Sequence, residues 1–392
     1  MLYFTSFNLI YLASIFLRKL TYKSAPAYLF VLTFICFVPL TTYRNGFDWP
    51  VYEAWFTKIA EINYSYPLVT QFANYNYIDW GFAQLMYFLS LLSNEFVIFQ
   101  VGVGSITIFF YHRITKKFGL NFFLFMAVLY CTMWLRLETS TLRQALVVPL
   151  FWLTLYYAYN RFFLRSLLVF ALALTFHKSI IVLVFALPLL FIPVKKSVHT
   201  FIVILGIVIQ ASYVFLIPLY TQAIDTVVTF TTNEFVAYKL NGYLGEYNQP
   251  FTIQKLLVII SLIYFHAFKL KHVYYGIFMK LLLGQFIINF YFPFVPNVVI
   301  LRFEYFFTIS WVALLSVQID QKMKNLVPGN FIFACIVLVL LNLKLLLFFK
   351  DTSSRLVYMP YNSVFHYVFG LSVRDHSDVQ AAIKIHESKY SE

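Results

Sequence analysis

Roughly a dozen apolar runs, separated by short loops that hold lysine and arginine, constrain this chain more than any motif in it. The stretches 25–40, 122–135, 147–159, 201–220 and 331–349 show the pattern. Inside a bilayer only helices and closed barrels satisfy every backbone hydrogen bond, and continuous apolar runs of this kind fit helices. The expected fold class is all-α: a polytopic membrane protein of about twelve transmembrane helices. Of 392 residues 61% are hydrophobic and 11% charged. About twelve spans of ~20 residues take up ~240 of them and leave little for a soluble domain. A single membrane domain over 1–350 and a polar tail over 351–392 follow. The net charge of +13 does not point to nucleic acid, because most cations lie at helix ends, where inward-facing basic loops and anionic headgroups account for them. Cys36, Cys131 and Cys335 fall inside apolar runs. They are too few for a disulfide framework, and no Cys/His spacing suggests a metal. Arg18 and Lys19 follow the first apolar run instead of preceding it, so residues 4–17 read as a first span and not as a signal peptide.

Orientation follows from the basic loops. Arg18/Lys19/Lys23, Arg113/Lys116/Lys117, Arg161/Arg165, Lys195/Lys196, Lys269/Lys271 and Lys322/Lys324 are placed in the cytoplasm. The spans then pair off, two to an interval, except between Lys23 and Arg113. There the runs 25–42, 80–93 and 95–112 would break the parity. The middle one, at about 14 residues, is short for a span and reads as a re-entrant or interfacial helix on the outer side. Such a segment survives at membrane depth only under cover of protein or along a water-filled cavity. Two outer segments are large, at about 43–79 and 221–252. The first is rich in Trp49, Tyr52, Trp55, Tyr64, Tyr66, Tyr75, Tyr77 and Trp80, which offer flat faces for sugar rings or an interfacial belt.

This topology gathers ionisable residues from several helices at the outer boundary. They are Arg44 and Asp48 after the second span, Arg136 and Glu138 after the fourth, Arg143-Gln144 opening the fifth, His177-Lys178-Ser179 between the sixth and seventh, and Arg302 and Glu304 at the start of the eleventh. Ionisable groups at such positions are costly and by default mark a substrate pathway. Arginine binds phosphate oxygens through a planar fork, so Arg136, Arg143, Lys178 and Arg302 suit a pyrophosphate at the membrane surface. Asp48, Glu138, Glu304 or His177 suit the removal of a proton from an attacking hydroxyl. Plainer readings stand beside these. Arg136 and Glu138 also read as a surface ion pair, Glu304 as the neutraliser of Arg302, and His177-Lys178 as a polar turn reaching the headgroups. Arg143-Gln144 also reads as a helix start that snorkels to lipid phosphate. Lys280, inside the tenth span, reads as the partner of a neighbouring helix or carbonyl.

Arg44-x-Gly46-x-Asp48, Leu142-Arg143-Gln144-Ala145, Phe176-His177-Lys178-Ser179 and Arg302…Tyr305-Phe306, in this order along the chain, resemble the EpsG-like branch of the Wzy-type polysaccharide polymerases. The likeness covers roughly 1–350. It departs from the family pattern at Phe47, where a small or hydroxyl residue is usual, and at Asp79-Trp80-Gly81-Phe82, where Glu-Pro-Gly is common. The resemblance implies an O-antigen, capsule or exopolysaccharide polymerase of the bacterial inner membrane, working at the periplasmic face on oligosaccharide repeats linked to undecaprenyl pyrophosphate. It implies a flippase and a chain-length regulator as partners and no nucleotide-sugar cofactor. The catalytic candidates are Arg143 with Asp48 or His177. The substrate-binding candidates are Arg44, Arg136, Glu138, Gln144, Lys178, Arg302 and Glu304, and no metal ligands are expected. Two other classes fit the hydropathy: a lipid-oligosaccharide flippase and another lipid-linked glycosyltransferase or ligase. A transporter would show internal repeats and midplane charges. No repeat is evident, and the charges gather at one face.

Overall fold

The computed structural model describes residues 2–16, 47–62, 66–75, 78–191, 195–212, 222, 253–292, 297–324, 328–350, 377 and 380. The span expected at 25–42, Arg44, the outer segment 221–252 but for Gln222, and almost all of the tail lie outside these residues. Every regular element among the described residues is helical, as the apolar runs imply. By length and composition three helices can cross a membrane: Phe96–Phe118, Ile300–Met323 and Pro328–Lys350. Six shorter apolar helices accompany them. Among the described residues these helices do not reach the expected twelve crossings.

The chain forms two compact units, one of residues 1–181 and 315–392, the other of 182–314. In the first unit, α1 (Leu2–Phe16) is followed, among the described residues, by three short helices: α2 (Trp49–Glu61), α3 (Tyr66–Tyr75) and α4 (Trp80–Ser90). Most of the described part of the large outer loop expected over 43–79 is therefore helical. The pattern Trp49, Tyr52, Phe56, Ile59 places four apolar side chains on one face of α2, and all four are buried. They join Phe82, Ala83 and Met86 of α4 in one core. Trp49 and Tyr52 thus belong to the interior and not to an exposed sugar-facing or interfacial belt. Of the other aromatics of this segment, Trp80 is half exposed and Trp55 half-buried. Helix α4 has 11 residues, about 16 Å of rise, which is half a hydrocarbon core and agrees with the short reading of run 80–93.

Helix α5 (Phe96–Phe118) carries Lys116 and Lys117 in its last turn, where cations complement the helix dipole. It ends at Gly119, whose φ of 66° is the left-handed cap that glycine adopts without strain. Asn121 then caps α6 (Phe122–Leu129), accepting from the Leu124 amide at 3.2 Å. A π-helical turn, Tyr130–Trp134, leads into α7 (Leu135–Ser140). Helix α8 (Leu142–Tyr159) is buried almost all round its first three turns, the mark of a central helix. It packs against α5, α7 and α9 (Phe163–Phe176). The short link 160–162 makes α8 and α9 antiparallel neighbours. Ser166 Oγ donates to the Thr154 carbonyl at 3.0 Å and ties them together.

The second unit holds α10 (Leu183–Leu189), α11 (Lys196–Ala211), α12 (Ile253–Ala267), α13 (Tyr275–Tyr291) and the first part of α14 (Asn297–Met323). Helix α13 is its centre, packed by α10, α11 and α12. Lys280 donates to the Leu190 carbonyl, the satisfied pairing expected of a lysine inside an apolar helix. The last helix with a described range, α15 (Pro328–Lys350), belongs to the first unit. There Tyr11 Oη donates to the Ala334 carbonyl at 2.9 Å, and Asn8 and Asn342 exchange hydrogen bonds at 3.1 and 2.9 Å.

Candidate functional site

Three helix ends of the first unit converge on one carboxylate. Arg143 stands in the first turn of α8, His177 terminates α9, and Asp79 precedes α4. Arg143 Nη1 donates to Asp79 Oδ2 at 3.0 Å, and His177 Nδ1 lies 2.9 Å from the same oxygen. Asp79 occupies the N-cap position of α4, yet its carboxylate caps no backbone amide of that helix. The capping bond usual for aspartate at this position is given up for the two side chains. Burial pushes the Asp79 carboxyl up. The hydrogen bond and charge of His177 and the charge and hydrogen bond of Arg143 outweigh that and hold it below the ordinary value of 3.8.

Local backbone explains why these three meet. The chain at His177 is extended (φ −167°, ψ 133°). It stops α9, and the 3-10 turn Lys178–Val182 follows. The first turn of α4 lies against the last turn of α9 because residue 81 is glycine. A Cβ there would meet Thr175 Oγ1 at 2.3 Å, its Cβ at 2.8 Å and its backbone oxygen at 2.9 Å. Leu142 and Phe176, the neighbours of Arg143 and His177, pack into the aromatic core below.

Arg143 is held from further sides. It hydrogen-bonds the Tyr52 side chain, and its guanidinium carbon stands 5.5 Å from the centre of the Trp55 ring, within cation–π range. Its side chain keeps 24% of its surface open. The result is a fixed, partly open cation of the kind that recognises phosphate or carboxylate oxygens.

The other sequence candidates fall around this cluster or elsewhere. Asp48 immediately precedes α2, and its segment is tied to the end of α7 by the Phe47 amide, which donates to Ser140 Oγ at 3.0 Å. Gln144 is buried in the first turn of α8, and Lys178 is exposed beside His177. Arg136, on α7, is exposed, with its guanidinium 5.2 Å from the centre of the Phe348 ring of α15. Glu138 lies on α7 with its side chain outside the described residues. Arg302 and Glu304 stand on α14 in the second unit. Arg302 is exposed, while Glu304 is buried and its Oε1 accepts from Gln285 Nε2 at 2.8 Å. The same Gln285 nitrogen reaches Thr308 Oγ1 at 3.1 Å. Lys255 is buried in that unit, within electrostatic reach of Glu304, and donates to Gln210 Oε1 at 3.3 Å.

Sequence reasoning missed Asp79 as a site residue, and also Tyr52 and Trp55 as supports of Arg143. One signal for Asp79 was present: Asp79-Trp80-Gly81 stands where the resemblance puts Glu-Pro-Gly, and it keeps the acid and the glycine.

The fold and this site define a class, a multi-pass helical membrane protein with a carboxylate-braced arginine and histidine at converging helix ends. The sequence profile of the EpsG family matches residues 27–363. The chain belongs to that family, which comprises exopolysaccharide and O-antigen polymerase-like proteins. No curated protein and no solved structure matches it.

Proposed function

We propose that this protein is a glycosyltransferase of the bacterial inner membrane that joins oligosaccharide repeats carried on undecaprenyl pyrophosphate, at the periplasmic face. The anomeric carbon of the donor is bonded to a pyrophosphate leaving group, and breaking that bond develops negative charge on a phosphate oxygen. Arg143 meets that charge, assisted by Lys178 or Arg136, in a partly dehydrated setting where fixed cations act strongly. A clamp of cations serves where other enzymes use a divalent metal. Asp48 or His177 takes the proton of the acceptor hydroxyl. Arg44, Glu138, Gln144, Arg302 and Glu304 are further residues proposed to bind substrate. Helix α4 lines the groove for the lipid carrier. A flippase supplies the substrate and a chain-length regulator limits the product.

The observation that carries this reading is the bracing of Arg143 by Asp79, Tyr52 and Trp55 beside His177, in a chain of this family. A surface-polysaccharide gel tests it. The gene is deleted in its host and complemented with the wild type or with Arg143→Ala. Collapse of the ladder to a single-repeat band, restored by the wild type alone, is the expected result. Loss of the single repeat as well would point to a flippase, a ligase or an earlier transferase and would overturn the reading.

A further inference from the structure

We propose that Asp79 and His177 form a carboxylate–imidazole dyad in which Asp79 is the positioning residue and His177 Nε2 is the base that accepts the proton of the acceptor sugar hydroxyl. This rests on the glycosyl-transfer reading above and deepens it by choosing His177 over Asp48.

The hydrogen-bonding capacity of each group fixes the tautomer. Asp79 is ionised, since Arg143 is bound to its Oδ2. An ionised carboxylate only accepts, so the 2.9 Å contact with His177 Nδ1 requires the hydrogen on Nδ1. A neutral imidazole with its hydrogen there carries its lone pair on Nε2. The carboxylate is closed off at 8% of its side-chain surface, whereas the imidazole keeps 18% open, so the ring is the member of the pair that a substrate can reach. The main chain also holds the ring's position. The His177 amide donates to the Ala173 carbonyl at 3.1 Å, and its own carbonyl accepts from Ile180 at 3.4 Å. The charged and titratable groups facing the ring are Asp79 from the start of α4, Arg143 from α8 with Tyr52 of α2 behind it, and the neighbouring exposed Lys178.

The step balances without a further reactant. The acceptor hydroxyl oxygen bonds to the anomeric carbon of the donor as its proton passes to Nε2. The bond from that carbon to the pyrophosphate oxygen breaks, and its electron pair leaves with the lipid pyrophosphate. The proton then moves from Nε2 to the released pyrophosphate or to water. Because Arg143 and His177 converge on one oxygen of Asp79, cation and base keep a fixed separation.

The same convergence designs the test. In Asp79→Asn a neutral amide oxygen replaces the charged oxygen that Arg143 and Nδ1 share, so the imidazolium formed as Nε2 takes the proton loses its stabilising carboxylate. Full-length protein in proteoliposomes is given lipid-linked repeats extracted from cells that lack the gene. The expected result for Asp79→Asn is a kcat lower by about 10²- to 10⁴-fold at nearly unchanged KM. Asp79→Glu restores part of the rate. Wild-type kinetics in Asp79→Asn would overturn the dyad and leave the polymerase reading standing. Failure of the wild type to extend any chain would overturn both. Should Asp79→Asn not fold, ¹⁵N spectra of the wild-type protein labelled at histidine, assigned with His177→Gln, decide the matter. Hydrogen on Nδ1 is the expected tautomer, and hydrogen on Nε2 would overturn the proposal.

Discussion

Gly81 and Thr175 approach so closely that a Cβ at position 81 would stand 2.3 Å from the threonine Oγ1 and 2.9 Å from its carbonyl oxygen. That contact sets the spacing between the first turn of α4 and the last turn of α9, and with it the reach of Asp79 to His177. Gly81→Ala is expected to destabilise the first unit by about 1–3 kcal/mol through overpacking and to weaken chain extension. Adding Thr175→Ala removes the nearer oxygen but not the backbone one, so it restores only part of the loss. Thermal melting in detergent, followed with the polysaccharide gel for each variant, checks this.

Arg143 makes three different contacts with one planar group: the Asp79 carboxylate, the Tyr52 side chain and the Trp55 ring. A lysine supplies the charge but not the fork or the flat face. Arg143→Lys is expected to reach the membrane in normal amount and to lose about 10²- to 10³-fold in chain extension. Wild-type ladder length in that variant would show that a point charge suffices.

Asp79 gives the first unit a defined acid sensitivity. Its carboxyl in the folded protein titrates below 3.8, so its share of stability is complete above that value and is lost as pH falls through the folded-state value. Melting temperatures taken from about pH 7 down to about pH 3 should drop more steeply at the acid end for the wild type than for Asp79→Asn, whose amide does not titrate. Parallel curves would count against the charge as the cause.

In the second unit, Gln285 satisfies a buried carboxylate. Gln285→Leu removes the donor to Glu304 Oε1 and is expected to lower stability by about 1–3 kcal/mol or more, as a buried charge loses a hydrogen bond. The double variant Gln285→Leu/Glu304→Leu should recover much of this, since removing both polar partners is far less costly than removing one. A double-mutant cycle on detergent melts measures the coupling.

Much of the fold was legible from local pattern. Continuous apolar runs report helices directly, because a bilayer leaves the backbone no other open-chain solution. The positions of Arg143 in a first turn and of His177 at a helix stop were also visible, since both lie where an apolar run meets a polar break. The segment 49–59 was harder. Its spacing of Trp49, Tyr52, Phe56 and Ile59 has the helical period, but interfacial aromatics have the same composition, and only burial separates the two readings.

The family assignment, the all-helical class and two of the three members of the Asp79–Arg143–His177 cluster follow from this sequence by itself, because each depends on residues adjacent in the chain or on composition within one run. The third member, Asp79, owes its partners to the tertiary structure. An aspartate before a helix looks locally like a cap. What turns Asp79 away from its own helix is the pull of a guanidinium 64 residues onward and an imidazole 98 residues onward, brought within 3.0 Å by the close packing at Gly81. No local propensity encodes a partner at that separation. Only the packed helix ends can choose it.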